Sequence, residues 1–253
     1  MRIYPSGPTI HEQHAEYGAV TNNHYDRWDE PDCVRAFSEK RVGGFFRSET
    51  HFLDRIAAEL NSVLDVGCAA GRMMELLRHY GATPHFSGID ISGASVELAK
   101  GNYPECTFVV ENALEWNTDE RFDLVNATGV CQHEPRFEKL IERMTEWSDR
   151  YVLFDVKLAR LSEHLVDIDR AYCGGRDRLY YIVLALPRLL DLLTTLPGVS
   201  NISIFGYETK ANDRTVLPAA LKPLVSAGVL LTKSDRRGAE PVIDLDLPGF
   251  LVE

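Results

Sequence analysis

From residue 62 onward, short apolar runs alternate with amphipathic stretches, and this alternation restricts the fold more than any other feature of the chain. "SVLDVG" (62–67), "HFSGID" (85–90), "TFVVE" (107–111), "FDLVNA" (122–127) and "RYVLFDV" (150–156) are rich in Val, Ile, Leu and Phe, as strands buried on both faces are. In the intervening "PRFEKLIERMTEW", Phe137, Leu140, Ile141, Met144 and Trp147 fall at helical spacing, and Pro135 suits a first-turn position. Gly81 and Gly101 read as helix stops. Repeated strand–helix–strand units predict an α/β fold with a mostly parallel sheet, right-handed crossovers and helices on both faces. A long apolar helix over about 178–195 and strands at 201–208 and 227–233 bring the expected strand count to seven. Ahead of the sheet, residues 26–60 read as two helices separated by Gly43 and Gly44. The expected organisation is a helical cover over 1–44, the main domain over 45–233 and an extension over 234–253.

Bulk properties narrow the partners. The 253 residues carry 38 acids against 27 bases, a net charge of -11. This argues against a nucleic-acid partner, because binding to a phosphate backbone depends on Lys and Arg displacing counterions. The five cysteines, Cys33, Cys68, Cys106, Cys131 and Cys173, contain no C-x-x-C pair and read as free thiols of a reducing compartment. "LYYIVLALPRLLDLL" is interrupted by Pro187, Arg188 and Asp191 and is too short to span a bilayer, and the N-terminus lacks the apolar core of a secretory signal. The expectation is a cytoplasmic protein without a membrane partner. A homodimer is compatible with the sequence.

The chemistry is concentrated where the first strand meets the first helix. Gly67, Cys68, Ala69, Ala70 and Gly71 are all small, so the backbone can turn tightly and a ligand can approach it. In an open α/β sheet ligands bind beyond the carboxyl ends of the strands. Asp90, closing the second strand in "GIDIS", is placed to accept hydrogen bonds from two ribose hydroxyls. Both a dinucleotide and an adenosyl ligand fit this much. The run D-V-G-C-A-A-G lacks the third glycine of G-x-G-x-x-G, and Asp65 beside the turn would repel a pyrophosphate while attracting an ammonium. A ribose joined to a cationic amino-acid end describes S-adenosylmethionine.

"VLDVGCAAGR", "GIDISGASVELAK" and "FDLVNATGVCQHEP", in that order, resemble the glycine-rich, acidic-loop and fourth-strand segments of the class I S-adenosylmethionine-dependent methyltransferases. The resemblance implies a Rossmann-like fold and a donor site built from Asp65, Gly67, Ala69, Gly71, Asp90, Ile91 and Thr128. Asn112 stands where the family often has an aspartate facing the adenine, with the amide of Ala113 beside it. In the N-terminal cover, Tyr25 is expected near the sulfonium and Arg41 at the donor carboxylate, with Arg47 as the competing arginine. His133, beyond the fourth strand, is the candidate general base. The N/D-P-P-Y type of motif is replaced by "NATGVCQH", which favours an oxygen, carbon or ordinary amine of a small-molecule acceptor, its pocket walled partly by residues 157–180. His11 and His14 have a metal-compatible spacing without a third ligand, so no metal is expected. Two rival readings remain at this point: a non-catalytic S-adenosylmethionine-binding regulatory or assembly subunit, and a nicotinamide-dependent oxidoreductase.

Overall fold

A computed structural model describes residues 23–38, 44–174, 178–234 and 240–252. β1 (Ser62–Val66) runs parallel between β2 (His85–Asp90) and β4 (Phe122–Ala127). β3 (Thr107–Val110) lies outside β2, and β5 (Ser148–Ala159) lies beyond β4, both parallel to their neighbours. β11 (Leu224–Lys233) is antiparallel to β5 and to β9 (Val199–Thr209). The chain therefore leaves β1 toward one edge and returns to its other side with β4, opening a crevice at the carboxyl ends of these two strands.

Two strands join the expected seven. β8 (Leu184–Ala185) pairs with β5, and β12 (Val242–Asp246), from the expected C-terminal extension, adds parallel to β9 at the edge. A separate small sheet has the order β10 (Thr215–Val216), β6 (Tyr172–Cys173), β7 (Leu179–Tyr180).

Alternation along the strands divides the core into two layers, because successive strand residues face opposite sides. Leu64 and Val66 of β1 join the cluster under α6 (Phe137–Trp147) and α7 (Leu186–Thr195), whereas Val63 joins the opposite one. That second cluster is built from α3 (Arg47–Ile56), α4 (Met73–His79) and α5 (Gly93–Asn102). Each fully buried Leu or Val contributes roughly 1.5–3 kcal/mol. The N-terminal residues form α1 (Asn23–Asp26), one 3-10 turn and α2 (Pro31–Ser38).

Two local expectations change and a third holds. The helix expected over about 178–195 begins only at Leu186: Pro187 fits in a first helical turn, and the aromatic and β-branched residues before it are extended. Gly101 lies inside α5, which ends one residue later when Tyr103 N donates to Ala99 O (2.9 Å). Gly81 does terminate α4, with φ +74° and Ala82 N donating to Leu77 O (2.9 Å).

Gly228 of β11 sets how closely α3 approaches the sheet, since a Cβ there would lie 2.5 Å from Ser48 Cβ and 3.3 Å from Phe52. Gly228→Val is therefore expected to push α3 outward and to cost roughly 1–3 kcal/mol of stability by overpacking. Chemical denaturation of the two proteins measures it, and an unchanged midpoint would show that α3 adapts freely.

Candidate functional site

The crevice opens into a cavity of about 400 Å³, within the range of small-ligand sites. Its floor is the loop after β1. Gly67, Ala69 and Gly71 all have positive φ (+70°, +46° and +81°), and Gly67 N and Cys68 N both donate to Ile89 O (2.8 and 3.1 Å). Asp90 fastens this loop to the next one: Oδ2 accepts from Ala69 N and Oδ1 from Ser92 N, both at 2.8 Å. Burial raises the Asp90 carboxyl above its ordinary value, with the two amide bonds opposing.

Gly67, Ala69, Asp90 and Ile91 line the cavity, as do Asn112, Ala113 and Thr128. Asn112 Oδ1 accepts from Leu114 N (3.0 Å), which shapes the turn after β3. Arg143 of α6 holds the same turn by donating to the carbonyls of Ala113 (3.1 Å) and Trp116. Gly71 and Asp65 are placed behind the wall instead. A Cβ on Gly71 would meet Tyr103 at 2.8 Å and Phe108 at 3.1 Å, so a side chain there strikes packed rings before it reaches a ligand. Asp65 is buried (4% exposed) and reaches the cavity through a relay: Thr128 Oγ1 donates to Asn126 Oδ1 (2.6 Å), and Asn126 Nδ2 donates to Asp65 Oδ1 (2.7 Å).

The second half of the cavity is walled by residues distant in sequence. The stretch 23–38 crosses it, and the core holds that stretch at two points. Tyr25 OH donates to Glu134 Oε2 (2.8 Å) and accepts from Arg136; burial, then Glu134, push its phenol up to about 12. Asp29 Oδ1 accepts from Ser92 Oγ (2.8 Å) and Ala94 N (3.1 Å) at the start of α5. Between these points Trp28 stands edge-on to His133, with ring centroids 5.4 Å apart. Cys33, Phe37, Cys173, Leu179 and Tyr181 complete an apolar wall, and desolvation raises both thiols and the Tyr181 phenol.

His133 projects into this half. Nδ1 lies 2.7 Å from Tyr180 O, which only accepts, so the proton of the neutral ring sits on Nδ1 and the basic lone pair is on Nε2. Nε2 is 3.0 Å from the Gln132 amide nitrogen. The extended segment before α7 thus fixes the tautomer of the expected base, and Ile182 N donates to Gln132 O (2.9 Å) to hold the two segments together.

Arg41, Gly43, His11 and His14 lie outside the described residues. Arg47 is exposed and stacks on Tyr207 (4.7 Å) and Phe205 (5.8 Å), away from the cavity. The arginine that does line it is Arg72. Its signal was the last letter of "VLDVGCAAGR", where a long cation follows a run of small residues. Glu111, Glu134 and Trp28 were also missed; each sits in a turn or helix whose pattern gives no sign of facing a ligand.

Residues 58–179 match the family model described as "Methyltransferase domain". Trans-aconitate 2-methyltransferase of Escherichia fergusonii is 29% identical over 99 residues, 39% of this chain and 39% of that one. The enzyme of that name from Escherichia coli O7:K1 is 28% identical over 119 residues, 47% and 42% of the two chains. The chain thus spans about two fifths of the length of these curated relatives. Among solved structures, magnesium protoporphyrin IX methyltransferase from Synechocystis PCC 6803 with bound S-adenosylmethionine superposes with a TM-score of 0.53 at 16% identity, over 85% of this chain and 99% of that one. Phosphoethanolamine N-methyltransferase 2 of Haemonchus contortus, in complex with phosphomonomethylethanolamine and S-adenosylhomocysteine, gives 0.63 at 14% identity, over 85% and 61%. At these identities the likeness is one of fold.

Asp65 provides a test of the buried relay. Burial lifts its pKa from 3.8 to about 7, so between those values the folded protein keeps a proton that the unfolded chain has lost. Stability attributable to this residue then falls as pH rises from about 4 to about 7 and is level above. Asp65→Asn keeps the acceptor for Asn126 and removes the titration. The variant should gain on the wild type across that interval, as read from denaturation curves at several pH values; a constant difference would mean that Asp65 ionises at its ordinary pKa.

Proposed function

We propose that this chain, whose residues 58–179 match a family model described as "Methyltransferase domain", is a class I S-adenosylmethionine-dependent methyltransferase and transfers a methyl group from S-adenosylmethionine to an oxygen, nitrogen or carbon of a small-molecule acceptor. The observation that carries the reading is Asp90, a carboxylate on the cavity wall at the end of β2 whose two oxygens clamp the loop after β1 and the start of α5. A carboxylate retains further lone pairs when it accepts two amides, and these are available to ribose hydroxyls. Beside it the backbone at Gly67 and Ala69 forms part of the cavity wall, and the turn at Asn112–Ala113 offers a face for a purine. When bound, the donor supplies a methyl group on a positively charged sulfur, which leaves as a neutral thioether.

The chain's own contribution is then alignment and, where the nucleophile arrives protonated, removal of a proton. Tyr25, Trp28 and His133 surround the far half of the same cavity. His133 Nε2 carries the lone pair and takes the proton after exchanging its Gln132 partner for the acceptor. The aromatic and thiol wall suits an apolar or aromatic acceptor body, and most of that wall (Tyr25, Trp28, Cys33, Phe37 and Tyr181) falls outside residues 58–179. The relatives' acceptors therefore do not carry over with the domain match. Continuity between the two halves of the cavity favours transfer over the non-catalytic binding reading.

The acidic balance favours a partner other than nucleic acid, and five free thiols suit a reducing cytoplasm. No helix among the described residues is long and apolar enough to cross a membrane. We read residues 23–38 as the described part of a cover and residues 45–233 as the catalytic domain.

Calorimetry tests the donor site. S-adenosylhomocysteine is expected to bind at micromolar concentration, roughly -8 kcal/mol, with Asp90→Ala weakening it and NAD not binding. Tight binding by the variant would remove Asp90 from the ribose. With an acceptor in hand, His133→Ala should lower kcat by roughly 10²- to 10⁴-fold, as expected for loss of a positioned base, and leave donor affinity nearly unchanged. The reverse pattern would assign His133 to the binding wall.

A further inference from the structure

We infer that Gln132 is a specificity-determining residue which, with His133, selects a neutral hydroxyl group on a flat apolar body as the methyl acceptor; the inference rests on the methyl-transfer reading above. Both side chains line the cavity and are half-buried. Their polar atoms form a matched pair, with the Gln132 amide nitrogen 3.0 Å from His133 Nε2. His133 Nδ1 faces the Tyr180 carbonyl at 2.7 Å and carries the ring proton, so Nε2 accepts and the Gln132 atom beside it has to be the donor. The backbone that bears the pair is held on both sides: Ile182 N donates to Gln132 O (2.9 Å) and His133 N to Val130 O (2.8 Å). One acceptor and one donor are thereby fixed side by side on the cavity wall.

A group that displaces their mutual bond has to satisfy both atoms or leave one of them unpaired against an apolar wall, which is costly. A hydroxyl satisfies both through a single oxygen, giving its hydrogen to His133 and a lone pair to the Gln132 amide. An ammonium donates to His133 but has no lone pair for the amide. A carboxylate accepts from the amide but meets the lone pair of Nε2, and it fits only if the ring takes up a proton.

The surroundings suit an uncharged body. Glu134, the acid next in sequence, accepts from Tyr25 OH (2.8 Å) and Arg136 Nε (3.2 Å), so its charge is already compensated. The rings of Trp28 and Phe37, with centroids 5.9 Å apart, continue the wall beyond His133, and flat rings pack well against such faces and edges.

The experiment titrates three probes of one ring system, 2-naphthol, 2-naphthoate and 2-(aminomethyl)naphthalene, into the protein alone and saturated with S-adenosylhomocysteine. It is run at about pH 8, above the ordinary imidazole pKa of about 6.5. 2-Naphthol should bind roughly 10-fold or more tightly than either charged probe, as expected when a mismatched group leaves one polar atom unpaired. Gln132→Leu should weaken 2-naphthol roughly 3- to 10-fold, the worth of one neutral hydrogen bond, and leave S-adenosylhomocysteine affinity unchanged. Gln132→Glu puts an acceptor where the donor was, in nearly the same shape, and should move the ammonium probe to first place; it carries the test if Gln132→Leu does not fold by circular dichroism. Equal binding of the three probes, binding of none, or an unchanged order in Gln132→Glu would overturn the inference. If the probes keep the expected order but S-adenosylhomocysteine does not bind, the donor reading fails and the hydroxyl selection stands. Donor binding without that order has the opposite meaning.

Discussion

The Asp90 carboxylate is the point on which the site's geometry depends. Two neighbouring parallel strands end side by side, and the loops that leave them would diverge unless something joined them. One oxygen of Asp90 takes the amide of Ala69 and the other takes that of Ser92. Ser92 in turn caps α5 by accepting from Ser95 N (3.1 Å), and its hydroxyl donates to Asp29 of the N-terminal stretch. Loop, helix and cover are thus connected through one side chain and its neighbour. Burial opposes the charge on Asp90, and charge-assisted bonds to two amides offset that cost. The same carboxylate faces the cavity, so ligand binding and loop geometry draw on a shared group.

Much of this arrangement was legible in the sequence, for a physical reason. A strand buried on both faces must be apolar throughout, and the turn that follows it at a ligand must be small; both constraints act on consecutive residues. β1 to β5 and the positions of Asp90, Asn112 and His133 could therefore be read locally. What escaped is what depends on contacts between distant segments. "RLYYIVLA" reads as part of a helix until Pro187 is taken as its start, yet Tyr180 from this extended stretch supplies the carbonyl that sets the tautomer of His133. The strand "VIDLD" is mostly exposed, so its pattern lacks the apolar signal by which the central strands were recognised. Gly71 looked like a ligand-facing glycine because of its place in the motif, whereas the space it leaves is filled by Tyr103 and Phe108.

The division of labour between the two halves of the cavity follows from the same distinction. The donor half uses backbone atoms and short side chains on adjoining loops, and can change little without losing the turn. The other half is assembled from α2, from residues around β6 and β7, and from His133. Asp90 does not bond to any of those pieces directly; the N-terminal stretch is fastened by its own side chains, Asp29 to Ser92 and Ala94 and Tyr25 to Glu134. Changes of side chain there alter the shape presented to a second molecule while leaving the loop at Gly67 in place. Three fixed supports limit that freedom: the Tyr25–Glu134–Arg136 group, the bonds of Asp29 to Ser92 and Ala94, and the Trp28–His133 contact.

β12 bears on how the protein meets copies of itself. Among the described residues it is the outermost strand, paired with β9 alone, and Val242 (64%) and Ile243 (43%) are exposed. An open edge of that kind is a template for a further strand. Asp244 and Asp246 interrupt it. A second copy lying antiparallel about a two-fold axis at Asp244 would set that aspartate against its own equivalent, and like charges directly opposite one another disfavour a pair. In that register the sheet carries its own stop at the open edge, written as two carboxylates on alternate residues.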